Sequence, residues 1–524
     1  MIGRNVCLGN VHVLYLKYDT VKMKKILLVA LLCMVGAAQA QVNQVLRKEI
    51  ELDDARNTDQ LAVGKYGLVL YGPKEVKGNA NFELTQYDTL LNEVRRIQME
   101  VPKKHSASAK AFSPDGRILH LIYQVGNDVT IYSVDLADGS HEKLRFKLPK
   151  PLNPDHVACL SEHVYFTSND AKKVLIWSVH LKTAQVTQLK TPIFDKFMFL
   201  ESINANPTQN LITVAISSGS SKKIGVVQNY HVLFYEQGVV APKEQLKLTN
   251  EMGRLIVDAT VTWQGINEFT IAGAYSTKSD KNAEGLYLAY FEQGTQQWMR
   301  HYSFSDFPNF YEFMPQRKMQ ERKAKKNAAK GMDDFVKSRV VVHDVYQFKN
   351  EFILIGECFQ PTYMQMPVTT TVNGQIQTTY QTIFDGYLYT HAVVIGANFN
   401  GERQWGEVFG IETVTKPYSI VQKIRAIADQ ESFRMFYPYK TKIKVMQVLG
   451  SELVETAAGE LLPESEMEKV KKALQPVSQH WYRNFILVTG IQVIEANKKE
   501  GIKRRKLFFM SKIQVDTSGS LPND

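Results

Sequence analysis

Cysteine is scarce in this chain of 524 residues: there are four, and only Cys159 and Cys358 lie beyond residue 40. That count excludes a fold built on a disulfide framework. Two arrangements remain open, one bridge between Cys159 and Cys358 or two buried thiols packed as small hydrophobes. No segment beyond residue 40 runs for 18 apolar residues without interruption, so no membrane-spanning helix is expected there. Helical periodicity is also rare. The sequence lacks a G-x-S-x-G elbow, a phosphate loop, a dinucleotide fingerprint, an H-E-x-x-H pair, a C-x-x-C pair and an acidic calcium loop. Those absences lower the prospect of an enzyme and point to no cofactor. Sites assembled from single residues on distant elements leave no linear motif, so the absences do not abolish that prospect.

A leader is present, and it starts at an internal methionine. Met23-Lys24-Lys25 is basic, residues 26–37 are apolar and uncharged, and Ala38-Gln39-Ala40 forms a small-x-small signature before Gln41. The apolar stretch is about a dozen residues against the roughly 20 that a bilayer requires, so a cleaved signal peptide is expected rather than an anchor. Residues 1–22 read as an extension from a misassigned start, residues 23–40 as the signal, and cleavage is expected after Ala40. Export, to the periplasm or outside the cell, follows. The formal net charge is +10, of which +4 belongs to the first 40 residues. An exported protein meets little nucleic acid, so no nucleic-acid partner is expected from this modest basic excess.

From residue 41 onward, short strand signals dominate: 67–71, 118–123, 211–216 and 352–356 are β-branched or aromatic and bounded by turn formers. They repeat. Phe234-Tyr235-Glu236-Gln237-Gly238 echoes Tyr290-Phe291-Glu292-Gln293-Gly294, and weaker copies turn near residues 92, 139, 183 and 401. Two antiparallel strands joined at a glycine, preceded by two more strands, make a four-stranded unit every 45 to 55 residues. Such units are the blades of a β-propeller.

One unit carries a family resemblance. Phe112-Ser113-Pro114-Asp115-Gly116-Arg117, an apolar strand, then residues 128–135 and Gly139, resembles the WD40-like β-propeller repeat of exported bacterial proteins over residues 105–148. The resemblance implies a fold and no particular activity. The expected fold class is therefore all-β, a single propeller over 41–524 with seven four-stranded blades, within a range of six to eight, and short helical insertions. Insertions are placed near 303–335, 361–382 and 463–475. The first joins an aromatic loop to a basic helix, and the second is a Thr- and Gln-rich hairpin. The third has Met467, Val470, Ala473 and Leu474 at helical spacing between Pro463 and Pro476.

Candidate chemistry is thin. Asp155 and His156, near His163, combine a carboxylate with imidazoles as acid/base or metal-ligand chemistry requires, or they simply start a strand after the turn at 151–154. Glu357 ends an apolar strand; a buried carboxylate there would have a raised pKa, while one satisfied by backbone would be structural. The loop 302–313 gathers Tyr302, Phe307, Phe310 and Tyr311, followed by Arg317, Lys318, Arg322 and Lys323. Aromatic and basic side chains together suit a partner surface, and clustered phenylalanines equally suit burial. The leading expectation is an exported binding or scaffold module that uses face loops to engage a protein or glycan in the cell envelope or outside the cell. The alternatives are a polymer-acting hydrolase or lyase with carboxylates at the channel, and an envelope-associated protein held by basic runs such as 498–506.

Overall fold

The computed structural model describes residues 42–52, 58–76, 79–101, 107–153, 156–170, 173–219, 229–250, 253–277, 282–307, 309–314, 338–372, 375–411, 416–430, 432–496 and 501–515. The leader and the residues after 515 lie outside them. Strands pair antiparallel into eight sheets. Seven are sequential: blade 1 spans 59–100, blade 2 spans 107–147, blade 3 spans 157–189, blade 4 spans 197–247, blade 5 spans 255–303, blade 6 spans 339–410 and blade 7 spans 425–460. The first strands of neighbouring blades touch one another and form the inner ring.

Blade 8 closes the ring with both ends of the chain. Its first three strands, Val470–Tyr482, Phe485–Ile494 and Arg505–Val515, are completed by Val42–Glu51, whose register runs from Val42↔Val515 to Glu51↔Leu507. Closure is reinforced at side-chain level. Arg47 lies over the Phe509 ring at 4.9 Å and pairs with Glu49 at 2.7 Å, and Arg505 reaches Glu49 and Glu468 at 3.2 and 3.0 Å. Blade 8 grips blade 1 through Trp481, whose indole donates to the Gly67 carbonyl at 2.6 Å. Lys512 is enclosed by the Phe485, Tyr482 and Trp481 rings and donates to the Thr89 carbonyl at 3.1 Å.

Among the described residues there are eight blades, at the upper end of the expected range and not the favoured seven. The additional blade lies in residues 420–515, which hold two: the turn at Gly450, with φ of 63°, joins the last two strands of blade 7. Three strands of blade 8 follow, and their fourth partner is more than 400 residues away. Strand composition obeys position in the sheet. Leu211–Gly219 in blade 4 is buried along its whole length because blades pack on both of its faces, whereas the outer strand His141–Lys147 of blade 2 is largely exposed. Apolar clusters fill the gaps between blades, such as Ile122, Ile131, Val164 and Phe166 between blades 2 and 3.

The turn at Ser113-Pro114-Asp115-Gly116 forms as its residues dictate. Gly116 takes φ of 69°, its N–H donates to the Ser113 carbonyl at 2.8 Å, and Asp115 accepts from Arg117 N at 3.1 Å. The helix expected over 463–475 is absent. Residues 470–482 are instead the inner strand of blade 8, with register shifts at three places, one of them around Pro476. The Thr- and Gln-rich hairpin is present as the distal part of blade 6's long central pair. Helical structure among the described residues consists of three short 3₁₀ turns, Gly64–Tyr66, Phe304–Asp306 and Phe310–Phe313. The basic helix expected near 316–330 lies outside the described residues. Cys159 and Cys358 are free, buried thiols on blades 3 and 6, which removes the bridge, and burial pushes both up to about 12.

Candidate functional site

An inner strand pairs on one side only, so its other edge carries N–H and C=O groups that need partners. Side chains of neighbouring blades supply several. Gln479 of blade 8 accepts from Ala62 N at 2.9 Å and donates to the Gln60 carbonyl at 3.2 Å in blade 1. Thr262 of blade 5 accepts from Val345 N at 3.0 Å, and Arg425 of blade 7 donates to the Ser478 carbonyl of blade 8 at 3.0 Å.

Glu357 belongs to this seam. It has no exposed surface; its carboxylate accepts from Lys423 N and Ile424 N at 2.9 Å and lies 2.6 Å from His343 Nε2. These contacts bind blade 6 to the segment entering blade 7. Of the two readings of Glu357, the structure places it in the satisfied, backbone-bracketing one. Asp258 of blade 5 makes the same kind of contact, accepting from Val342 N at 3.3 Å.

Two carboxylates on adjacent inner strands were not singled out from sequence. Burial raises Glu201 of blade 4 to about 7, with the Asp258 charge adding to the effect and a hydrogen bond from Ser217 opposing it. Burial also raises Asp258, against its backbone donors. Each sits beside a register shift of its strand, between Leu200 and Ser202 and between Ile256 and Asp258. An acidic residue breaking the apolar strands Phe197–Asn206 and Leu255–Gly265 was the available signal. Among the described residues, no cluster of three or more His, Cys, Asp or Glu side chains is placed to hold a metal.

The remaining sequence candidates separate. Asp155 lies outside the described residues. His156 immediately precedes the inner strand Val157–Leu160 of blade 3, and His163 pairs with Leu160 at that strand's far end, so the two histidines do not share a site. Tyr302, Phe307 and Phe310 are 5 %, 3 % and 0 % exposed and pack between blades 5 and 6, with Phe310 stacked on Phe304 at 4.6 Å. As open contact groups they are therefore corrected to core residues; Tyr311 is half-buried against the same cluster. Phenylalanine burial outweighs surface display here. Arg317, Lys318, Arg322 and Lys323 lie outside the described residues.

A cleft of about 700 Å³ opens between blades 2 and 3. It is lined in part by the cross-strand pair His120 and Ser133, whose Nδ1 and Oγ are 2.9 Å apart. Burial lowers His120 to about 4, so its imidazole is neutral at ordinary pH. The rim carries its own ion pair, Glu162 with Lys182.

The most exposed built feature is an arm on blade 6. Its two central strands, Glu351–Val372 and Gln375–Asn398, are 22 and 24 residues long. The inner strand follows them only to Phe359, and the outer strand only from His391. Beyond those points, among the described residues, the two strands pair with each other alone. The root is braced: Tyr387 N donates to the Pro417 carbonyl at 2.8 Å, Lys416 pairs with Asp385 at 2.5 Å, and Phe384 packs between Tyr363, Tyr387 and Tyr418. Further out, Tyr363, Met364, Met366 and Tyr380 are 62 %, 46 %, 51 % and 71 % exposed. No residue from 358 to 384 carries a charge. By strand direction, the arm rises from the same face as the segments joining one blade to the next.

No protein-family profile matches the chain, and no curated protein matches it by sequence. Solved structures do resemble it. The chain is similar to hydrazine synthase of Kuenenia stuttgartiensis at 11 % identity, covering 66 % of this chain and 78 % of that one, with a TM-score of 0.36. It is also similar to the β-propeller domain of the Trilobed protease from Pyrococcus furiosus at 9 % identity, covering 79 % and 96 %, with a TM-score of 0.32. The WD40 domain of Toxoplasma gondii coronin aligns at 8 % identity over 80 % and 83 %, with a TM-score of 0.35.

Proposed function

We propose that this chain is an exported β-propeller binding module, directed out of the cytoplasm by residues 23–40, cut after Ala40, and engaging a protein partner through the arm of blade 6. The observation that carries the reading is the arm itself. An isolated two-stranded hairpin gains little stability in water, so a long one that displays tyrosines and methionines is suited to gaining its burial from a partner. Tyr and Met are favoured contact residues, and a ribbon with open backbone edges suits strand addition by a polypeptide better than recognition of a glycan.

Two measurements test the reading. The N-terminus of the protein recovered from its native host is expected at Gln41; a cytoplasmic protein retaining residues 1–40 contradicts the export part. Replacing 364–382 by a tight turn, which keeps the Tyr363–Phe384 contact at the root, is expected to abolish partner capture while the unfolding temperature stays within about 2 °C, since the contacts that the described residues of this stretch make lie within the arm. Unchanged capture by the shortened protein contradicts the arm as the contact element.

A second reading has one observation of its own. Glu201, raised to about 7 beside Asp258, is placed for acid/base chemistry at the inner strands of blades 4 and 5. Substitution by glutamine at either position would abolish any hydrolytic or lyase activity found in the wild-type protein if that reading holds.

A further inference from the structure

We infer that the seam between the inner strands of blades 4 and 5 binds one hard divalent cation, calcium in preference to magnesium or zinc, through the Glu201 and Asp258 carboxylates. The inference is independent of the arm, and it gives these carboxylates an ion to hold where the acid/base reading gives them a proton to move.

Two observations carry it. The first is a pair of carboxylates without a counter-charge. Glu201 is the extra residue at the register shift between Leu200 and Ser202, and Asp258 directly follows the extra residue Val257 in blade 5. Glu201 Oε1 accepts from Ser217 Oγ, and Asp258 accepts only from backbone, Ala259 N at 3.0 Å and Val342 N at 3.3 Å, among the described residues. No lysine, arginine or histidine charge among those residues bears on either carboxylate. The chain as a whole has 63 Lys and Arg against 53 Asp and Glu, so this lack of a basic neighbour is not a matter of supply. Carboxylates drawn into a protein are paired with cations or ligate them. The second observation is the Tyr230 hydroxyl, which is completely buried and has no hydrogen-bond partner among the described residues. Tyr230 stands directly across from Ser217, so both side chains lie on the face of blade 4 that packs on blade 5. There its hydroxyl feels the charges of both Glu201 and Asp258, which aims it into the same seam.

The donor set selects the ion. The groups gathered at the seam are all oxygens: two carboxylates, the Ser217 and Tyr230 hydroxyls, and the Asp258 carbonyl, which accepts from the Tyr287 hydroxyl at 3.4 Å. His231 follows Tyr230 in sequence but faces the other way, towards Ser218 and Asp195. Zinc prefers nitrogen and sulfur, which the seam does not offer. Two carboxylates balance the charge of one divalent ion. Magnesium holds several waters in a strict octahedron, whereas calcium accepts irregular sets of protein oxygens. The back of the seam suits the second habit, since Ser217, Tyr230 and Tyr287 are 1 %, 0 % and 0 % exposed, while Glu201 and Asp258 are only half-buried and open to an arriving ion. A single water on the calcium would supply the acceptor that Tyr230 lacks. The backbone is shaped for this approach as well. A Cβ at Gly273 would lie 1.9 Å from the Asp258 carbonyl oxygen and 2.7 Å from the Tyr287 hydroxyl, so glycine keeps both groups where they are.

Terbium, which replaces calcium and is sensitised by a nearby tyrosine, tests the inference on the purified protein after treatment with a chelator. Exciting tyrosine is expected to produce terbium emission. Calcium is expected to abolish it with an apparent dissociation constant on the order of 10⁻⁴ to 10⁻³ M, as a site with only two carboxylates implies. Magnesium should need about tenfold more, zinc should compete no better than magnesium, and sodium chloride at matched ionic strength should leave the emission unchanged. Glu201→Gln and Asp258→Asn are each expected to weaken calcium about tenfold or more, whereas Glu236→Gln, in an exposed ion pair, leaves it unchanged. Calcium should also raise the unfolding temperature of the wild-type protein and not that of Glu201→Gln. Tyr230→Phe combined with Tyr287→Phe is expected to remove most of the emission. Should a carboxylate variant fail to fold, that tyrosine pair decides: emission that survives it places the ion elsewhere and overturns the inference. Absence of sensitised emission from the wild-type protein overturns it, as does a calcium response that survives both carboxylate substitutions. If no ion binds and Glu201→Gln abolishes an activity of the wild-type protein, the acid/base reading stands and this inference falls.

Discussion

Replacing Glu357 with alanine should destabilise the propeller strongly, and the size of the effect follows from what the carboxylate holds. It accepts from Lys423 N, Ile424 N and His343 Nε2, at 2.9, 2.9 and 2.6 Å, with no exposed surface. Alanine leaves three donors without an acceptor; at about 1–3 kcal/mol for each orphaned buried group, and with some relief from water entering the void, the loss is about 3–6 kcal/mol. That is a large share of the roughly 5–15 kcal/mol that holds a typical domain together. Glutamine keeps the shape and one acceptor and should cost less, about 2–3 kcal/mol, because its amide N–H₂ then faces another donor. Denaturant unfolding followed by tryptophan fluorescence measures the loss. Hydrogen exchange places it, with faster exchange expected at 423 and 424. A surface control is Glu236→Ala, whose exposed pair with Lys243 at 2.8 Å should contribute less than about 1 kcal/mol. If Glu357→Ala resembles that control, the bracketing role assigned to Glu357 is wrong.

Other outcomes follow from the same reasoning. Burial lowers His120 to about 4 and His391 to about 3, so the unfolded chain binds more protons below its ordinary histidine pKa; stability should fall as pH drops from about 6.5 towards 4, and His391→Phe should flatten that slope. Glu201 has the opposite sign: its folded pKa is raised to about 7, so its contribution is present below the ordinary carboxylate value and lost as pH rises through 7. Glu201→Gln should therefore stabilise the protein at pH 8 and change little at pH 4. Cys159 and Cys358 should resist a thiol reagent in the native protein and both react once it is unfolded, since burial holds both thiols near 12. Lys512→Met should weaken ring closure by about 2 kcal/mol in thermal unfolding, because it removes a cation enclosed by three rings and a hydrogen bond to the Thr89 carbonyl.

The propeller was legible because its signal is local. Gly238 and Gly294 end equivalent strands at φ of 74° and 75°, and the residues around them repeat because the same hairpin turn is made twice. Blade 8 was not legible, since Val42–Glu51 pairs with Arg505–Val515 and no local pattern reports so distant a partner. The helix expected at 463–475 failed for a related reason: register shifts in Val470–Tyr482 break the two-residue alternation that marks a strand, and the residual spacing imitates a helical one. Site residues were harder still. Phe307 and Phe310 were recognisable as a cluster, but burial against blade 6 is a tertiary fact. Glu201 and Asp258 come from different blades, and sequence spacing says nothing about which strands line an axis. The arm was visible as a hairpin through its threonines and glutamines, while its exposure became evident only from where the flanking strands stop.

The claim that matters most is that the arm of blade 6 is the contact element of an exported module. A photo-reactive residue installed at 380 tests it directly in the native host, alongside one at Lys243 on the opposite face. The account predicts one discrete cross-linked product from position 380 and none from position 243. Equal labelling from both positions, or labelling only from 243, would contradict it.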